Sequence, residues 1–223
     1  MQGDKGIENG DGFRVSGDGE NSLSSVLRPP SSVSSTPLSP YPPTPLLFVS
    51  SNPGKVREVQ AILGFPIEQL ALDVHEIQDV EVEAVVREKV QEAFAQAGRP
   101  VLVEDTGLYL DALDGLPGAL VRWFVARLGP EGICRLIPEG ATRGAQARTA
   151  VAYYDGKILE VISGEVTGDI VLTPRGDSGF GWDAAFQPSG SHHTFAEMDQ
   201  AEKNEFSMRR KALDAFLARG IGG

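Results

Sequence analysis

The sequence predicts an α/β domain with a central mixed β-sheet flanked by helices. Two observations carry that expectation. Between Leu46 and Val103, short apolar runs alternate with stretches of helical periodicity, the order that gives parallel strands joined by helices. Further on, two β-patterned runs meet at Asp155-Gly156, a dipeptide that favours a two-residue hairpin and so antiparallel neighbours.

The elements follow in order. Leu46–Val49 is a continuous apolar run of strand length, and Ser50-Ser51-Asn52 after it reads as a turn with an N-cap. Pro53 suits a first helical position, and Val56, Val59, Ile62 and Leu63 recur at helical spacing up to Gly64. Ile67–Val74 is a second strand. Val82, Val85, Val86, Val90, Ala93, Phe94 and Ala97 make one face of a helix that Gly98 closes. Val101–Val103 is a buried strand ending on Glu104-Asp105. A helix is expected around Leu120–Leu128, then the hairpin of Arg148–Tyr154 with Ile158–Glu165, continued by Thr167–Leu172. Phe195–Met198 opens a short helix, and Met208–Ala218 forms the last one before Gly220.

Residues 1–45 are different in kind. From Asn21 to Pro45 there are eight serines and seven prolines, with almost nothing apolar to bury, so residues 1–45 are expected to form a disordered tail ahead of a folded domain over 46–223. Met1–Gly12 has neither the basic cluster nor the apolar stretch of a secretory signal, and the acids Asp4, Glu8 and Asp11 argue against an organelle transit peptide. Deletion of residues 1–45 is expected to leave folding and turnover intact. A large fall in melting temperature or rate in the truncated protein would show otherwise.

Composition excludes several classes. The chain carries 20 Lys and Arg against 31 Asp and Glu, a formal charge of −11, which disfavours nucleic acid and anionic membrane as partners. The single cysteine, Cys134, leaves no internal disulfide and no cysteine-based zinc cluster. No apolar run nears the roughly 20 residues that span a bilayer. A soluble cytoplasmic protein is expected, with organelle targeting by the tail as the weaker alternative.

Four polar clusters sit where an α/β fold places ligands. In Ser50-Ser51-Asn52-Pro53-Gly54-Lys55, small residues and a helix N-terminus suit a phosphate, and Lys55 adds a full charge. An ordinary capped helix with a solvated lysine is the alternative. Glu104-Asp105-Thr106-Gly107 follows an apolar strand, and hard carboxylate oxygens there suit Mg²⁺, with Glu76 as a further carboxylate. An acidic turn is the alternative. In Gly179-Phe180-Gly181-Trp182-Asp183, glycines surround two rings that either stack on a base or plug the core. Finally, Glu202-Lys203-Asn204 leads to Arg209-Arg210-Lys211, read either as an anion contact or as a basic helix face. An anion, a divalent metal and a flat ring together describe a nucleotide.

In order, these motifs resemble those of the inosine triphosphate pyrophosphatase family. Its pattern is matched by Ser50…Asn52…Lys55, Glu104-Asp105-Thr106-Gly107-Leu108, Pro117-Gly118, Pro174-Arg175-Gly176, Gly179-Phe180-Gly181-Trp182-Asp183, Ala196-Glu197-Met198, Glu202-Lys203-Asn204 and Ser207-Met208-Arg209. The match runs from Leu46 to about Leu217. The resemblance implies an elongated α/β fold with an active-site cleft between two lobes, a homodimer, and Mg²⁺ as cofactor, with Mn²⁺ the alternative ion. It implies cleavage of ITP, dITP or XTP to the monophosphate and pyrophosphate, a cleansing of the nucleotide pool. By position, Ser50, Ser51, Asn52, Lys55, Lys89, Thr106, Arg122, Lys203, Met208 and Arg209 contact substrate, and Phe180, Gly181, Trp182 and Asp183 form the base pocket. Glu76 and Asp105 hold the metal, Asp105 is also the proton acceptor, and Glu104 and Lys55 join it in catalysis. Met208 stands where the family has a histidine that helps recognise the purine, so altered base selectivity is one alternative reading. A nucleotide-binding protein without turnover is the other.

Overall fold

In a computed structural model, residues 45–220 are described; the expected tail falls outside them except for Pro45. Strand β1 is Leu46–Val49, helix α1 Pro53–Leu63, β2 Ile67–Leu70, α2 Val82–Ala97 and β3 Val101–Leu110. Then come β4 (Pro117–Gly118), α3 (Val121–Arg135), β5 (Gly144–Tyr154), β6 (Leu159–Ile170), β7 (Phe186–Pro188), α4 (Gln200–Phe206) and α5 (Met208–Ala218). The sheet has the order β2-β1-β3-β5-β6-β7, with β4 joined to β3. β1 runs parallel to β2 and β3, whereas β3, β5, β6 and β7 alternate antiparallel, so the sheet is mixed as expected.

Strand alternation sends successive residues to opposite faces, and each face has its own core. Phe48, Leu102, Val151 and Ile162 pack with Val59 and Ile62 of α1 and with Leu213 and Phe216 of α5. Leu47, Val49, Val101, Val103, Ala150 and Ala152 pack instead under Val82, Val86 and Val90 of α2. A third cluster gathers the far end of β3 with Ile133 of α3, Trp182, Phe186 and Phe195.

Several boundaries differ from the sequence reading, each for a pairing reason. The second strand stops at Leu70 rather than Val74, because it is an edge strand whose only neighbour, β1, ends at Val49 opposite Leu70. The third does not end at Glu104: β5 pairs with it continuously from Val101 to Leu110, which carries the polar residues 104–106 within the strand. The hairpin forms, but with Asp155–Ile158 as its loop, since the last pair is Tyr154 with Leu159. Asp155 Oδ1 accepts from the Lys157 and Ile158 N–H groups at 2.8 and 2.7 Å and holds that wider turn. Helix α3 starts as expected and runs on to Arg135, broken at Gly129, where Pro130 follows and cannot donate. The short helix begins at Gln200, capped by Asp199, not at Phe195.

Candidate active site

A gap in the sheet makes the site. β1 pairs with β3 only at Val101 and Leu102, and β4 takes the same edge only at Leu108 and Tyr109. Between them this edge of β3 is unpaired, and Asp105 and Thr106 line a cavity of about 680 Å³. The residues to which the resemblance gives a catalytic, metal or substrate role all line that cavity except Glu104, which is buried behind it, whereas Arg210 and Lys211 of the basic cluster do not reach it.

On one side stand α1 and its cap. Asn52 Oδ1 accepts from the N–H groups of Gly54 and Lys55 at 2.9 and 3.3 Å, fixing the direction in which Lys55 leaves the helix. Lys55 Nζ lies 2.5 Å from Glu104 Oε1 and 3.7 Å from Asp105 Oδ1. Burial alone would lower the Lys55 pKa, but the two carboxylates outweigh it and raise it above the ordinary value. Glu104 is 2% exposed, and burial would push its carboxyl up; Arg209 and Lys55 instead hold it down to about 2. Asp105 differs. Burial raises its carboxyl above the ordinary value, and Lys55 and Lys89 offset that only partly.

Glu76 is carried by the extended segment before α2. Lys89 Nζ is 2.6 Å from its Oε1 and Arg122 Nη1 3.4 Å from its Oε2. Those two cations outweigh its burial and hold its carboxyl below the usual range. Lys89 also donates to the Glu104 carbonyl at 3.4 Å.

Behind these lies a buried network that the motifs did not reveal. Glu58 of α1 takes Lys203 on Oε1 at 2.9 Å and Arg209 on Oε2. Lys203 also meets Asp183 at 2.7 Å, and Arg209 Nε meets Glu104 Oε2 at 2.7 Å. Lys203 and Arg209 are thus not open cations on a basic helix face; each is buried and paired with two acids. Glu58 had a visible signal: with Lys55, Val59 and Ile62 it falls on one helical stripe, so an acid occupies the buried face.

The aromatic loop divides its rings. Trp182 is 6% exposed and packs edge-on to Phe186 at 5.5 Å, so it belongs to the core as well as to the cavity wall. Phe180 is half-buried, with Lys203 and Arg209 at 5.2 and 5.8 Å from its ring centre. Its N–H donates to Asp183 Oδ2 at 2.9 Å. Gly54 permits this placement, since a Cβ there would meet the Phe180 ring at 2.9 Å. Met208, at the start of α5, is buried and lines the same wall.

Among the described residues no group of three or more His, Cys, Asp or Glu side chains is arranged as a metal cage. The donor chemistry nevertheless fits Mg²⁺ held beside a phosphate chain, which takes one or two carboxylates and fills its remaining positions with water and phosphate oxygens. Among the described residues Asp105 is ion-paired with the Lys55 ammonium alone, at 3.7 Å, and burial desolvates its carboxylate. Glu76 is a further hard donor on the cavity wall, which Asp73, Asp79 and Asp183 also line.

Comparison with known proteins accords with this arrangement. Residues 46–219 match the model of the Ham1 family. The chain is 44% identical over 175 residues to inosine triphosphate pyrophosphatase 2 of Trypanosoma cruzi, covering 77% of this chain and 89% of that protein. It is 39% identical over 182 residues to the inosine triphosphate pyrophosphatase of Kluyveromyces lactis, covering 77% and 93%. The Staphylococcus aureus Ham1 protein has the same fold, with a TM-score of 0.69 at 23% identity over 79% of this chain and 98% of its own. A nucleoside-triphosphatase, dITP/XTP pyrophosphatase, from Mycobacterium abscessus aligns with a TM-score of 0.60 at 30% identity, over 78% and 99%.

Proposed function

Since the chain belongs to the Ham1 family, we propose that it hydrolyses non-canonical purine nucleoside triphosphates such as ITP, dITP and XTP to the monophosphate and pyrophosphate. One observation carries the reading: a single cavity joins an under-compensated carboxylate, Asp105, to five cations and an accessible ring face. In the free protein those cations are held by acids. A triphosphate chain offers them competing oxygens, and Lys55, Lys89 and Arg122 are the three at the cavity wall nearest Glu76 and Asp105.

The reading extends to Mg²⁺ on Glu76 and Asp105, with Mn²⁺ as the alternative ion. When bound, such an ion neutralises phosphate oxygens and acidifies the attacking water. Asp105 takes the proton of that water as its oxygen bonds to the α-phosphorus and the bond to the α–β bridging oxygen breaks. Lys55 and Lys89 stabilise the charge that gathers on the departing pyrophosphate. Phe180 offers its face to the base, and Asp183, held by Lys203 and the Phe180 N–H, fixes the loop that presents it. A cytoplasmic homodimer completes the proposal; no described helix is long and apolar enough to cross a membrane.

The test is a panel of ITP, dITP, XTP, GTP, ATP and UTP, each with and without Mg²⁺, read by pyrophosphate release. Pyrophosphate from ITP only with the metal is the expected result. Release of single orthophosphate would overturn α–β cleavage, and binding without turnover would favour a nucleotide-binding protein.

Met208 bears on selectivity. A thioether donates no hydrogen bond, whereas a histidine in its place could donate to the 6-oxo group of inosine and not to the 6-amino group of adenine. Met208→His is therefore expected to raise the ITP-to-ATP ratio of kcat/KM by roughly 2–13-fold, the net value of one neutral hydrogen bond. An unchanged or lower ratio would assign the 6-position to another residue.

A further inference from the structure

Thr149 of β5 stands directly opposite Thr106 of β3 in the antiparallel ladder. Their hydroxyl oxygens are 2.8 Å apart, and either is competent to donate until its other contacts are counted. Two contacts fix the direction. Arg209 Nη2 reaches Thr106 Oγ1 at 3.3 Å, and a guanidinium only donates. Thr149 is fully buried, and among the described residues Thr106 is the hydrogen-bond partner of its hydroxyl.

The burial of Thr149 is built into the packing. On its other side lies Gly164 of β6, where a Cβ would stand 2.2 Å from the Met208 carbonyl and 2.5 Å from the Ala212 nitrogen. Helix α5 thus lies directly on the sheet at this point and shuts out water. If Thr106 donated to Thr149, the Thr149 proton would be sealed in without an acceptor, an expensive arrangement. With Thr149 donating, every group is satisfied. Thr106 then accepts from both Thr149 and Arg209, which leaves its own proton for the cavity it lines.

We propose that Thr149 is a positioning residue that sets Thr106 as a fixed hydrogen-bond donor into the cavity, toward a phosphate oxygen of the bound nucleotide. The proposal rests on the nucleotide reading above and names a residue beyond the cavity wall. It also explains why a polar side chain occupies a fully enclosed position in β5 between Ala147 and Val151. A fixed donor needs no reorientation when phosphate arrives or as charge builds on it, and that is the benefit of preorganisation.

A double-mutant cycle tests it. Thr149→Val removes the hydroxyl while keeping the shape, and is expected to lower kcat/KM for ITP by roughly 2–13-fold, the span of one neutral hydrogen bond. Thr149→Ser keeps the donor and is expected to restore most of the loss. In a Thr106→Val background, Thr149→Val is expected to cost nothing further, because its effect passes through Thr106. Wild type and these four variants are titrated calorimetrically with inorganic tripolyphosphate, where the expected pattern of affinities is the same. Additive losses, or a Thr149→Val enzyme equal to wild type, would overturn the proposal. A wild type that binds tripolyphosphate with this pattern but turns over no ITP would sink the pyrophosphatase reading and leave the positioning role standing.

Discussion

Asp105→Asn is expected to lower pyrophosphate release from ITP by roughly 100- to 10,000-fold, the contribution of a positioned general base. The substitution keeps size and removes the carboxylate proposed as proton acceptor and as hard metal donor. It is not expected to cost stability. Asp105 has its carboxyl pKa raised in the fold, mainly by burial, so its charged form is less favoured folded than unfolded. The sign follows: at neutral pH the ionised aspartate subtracts from stability, and a neutral amide relieves that. The expected pair of results is a melting temperature equal to or above wild type together with a nearly dead enzyme. Substantial activity in the variant would remove Asp105 from the proton-acceptor role, and a large fall in melting temperature would make the loss of rate a folding effect.

The charges around Asp105 explain how an acidic chain handles a polyanion. Five cations line the cavity, and in the free protein they are met by Glu58, Glu76, Glu104, Asp105 and Asp183. The cavity is therefore not a standing positive well. Lys203 and Arg209 are tied down on the inner wall, Lys89 and Arg122 hold Glu76 at the cavity wall, and Lys55 lies between buried Glu104 and cavity-lining Asp105. The outer three are the ones a phosphate chain would recruit, and the inner two keep Phe180 and Asp183 in place.

How much of this was legible in the sequence depends on the range of the interactions. β1 and α1 were read to the residue, since an apolar run, an asparagine cap, a proline at the first turn and a glycine stop all act within a few positions. The extension of β3 through Glu104, Asp105 and Thr106 was not, because its polar residues interrupt the apolar run and its continuity comes from β5, some forty positions away. The site motifs were legible as clusters of residue types that chemistry rarely groups by accident. Their wiring was not. Glu58 meets Lys203 and Arg209 across 145 and 151 residues, contacts that form only when α4, which carries Lys203, and α5, which carries Arg209, are brought to α1. For the same reason Lys203 and Arg209 read as a basic face when they are buried ions.

That wiring gives the largest expected effect on stability. Arg209 is 2% exposed and lies between Glu104 and Glu58. Arg209→Met fills much of the volume but takes one cation from each of two buried carboxylates, leaving Glu104 with Lys55 and Glu58 with Lys203, and the loss of one partner from a buried pair costs about 3–5 kcal/mol. For a chain of this size that corresponds to a fall of roughly 6–20 °C in melting temperature. The pH dependence sharpens the test. In the wild type the Glu104 pKa is depressed from 4.5 to about 2, so its contribution is full above 4.5 and is lost as pH falls through that interval. In the variant that depression shrinks: Glu104 keeps Lys55 but loses Arg209, the larger of its two cationic partners, so burial is offset less and less stability remains to be lost on acidification. The difference in melting temperature between the two proteins, measured without metal or nucleotide, should therefore be full above pH 4.5 and shrink as pH falls from 4.5 toward 2. A gap that stays constant over that range would mean that Arg209 acts by packing rather than by charge.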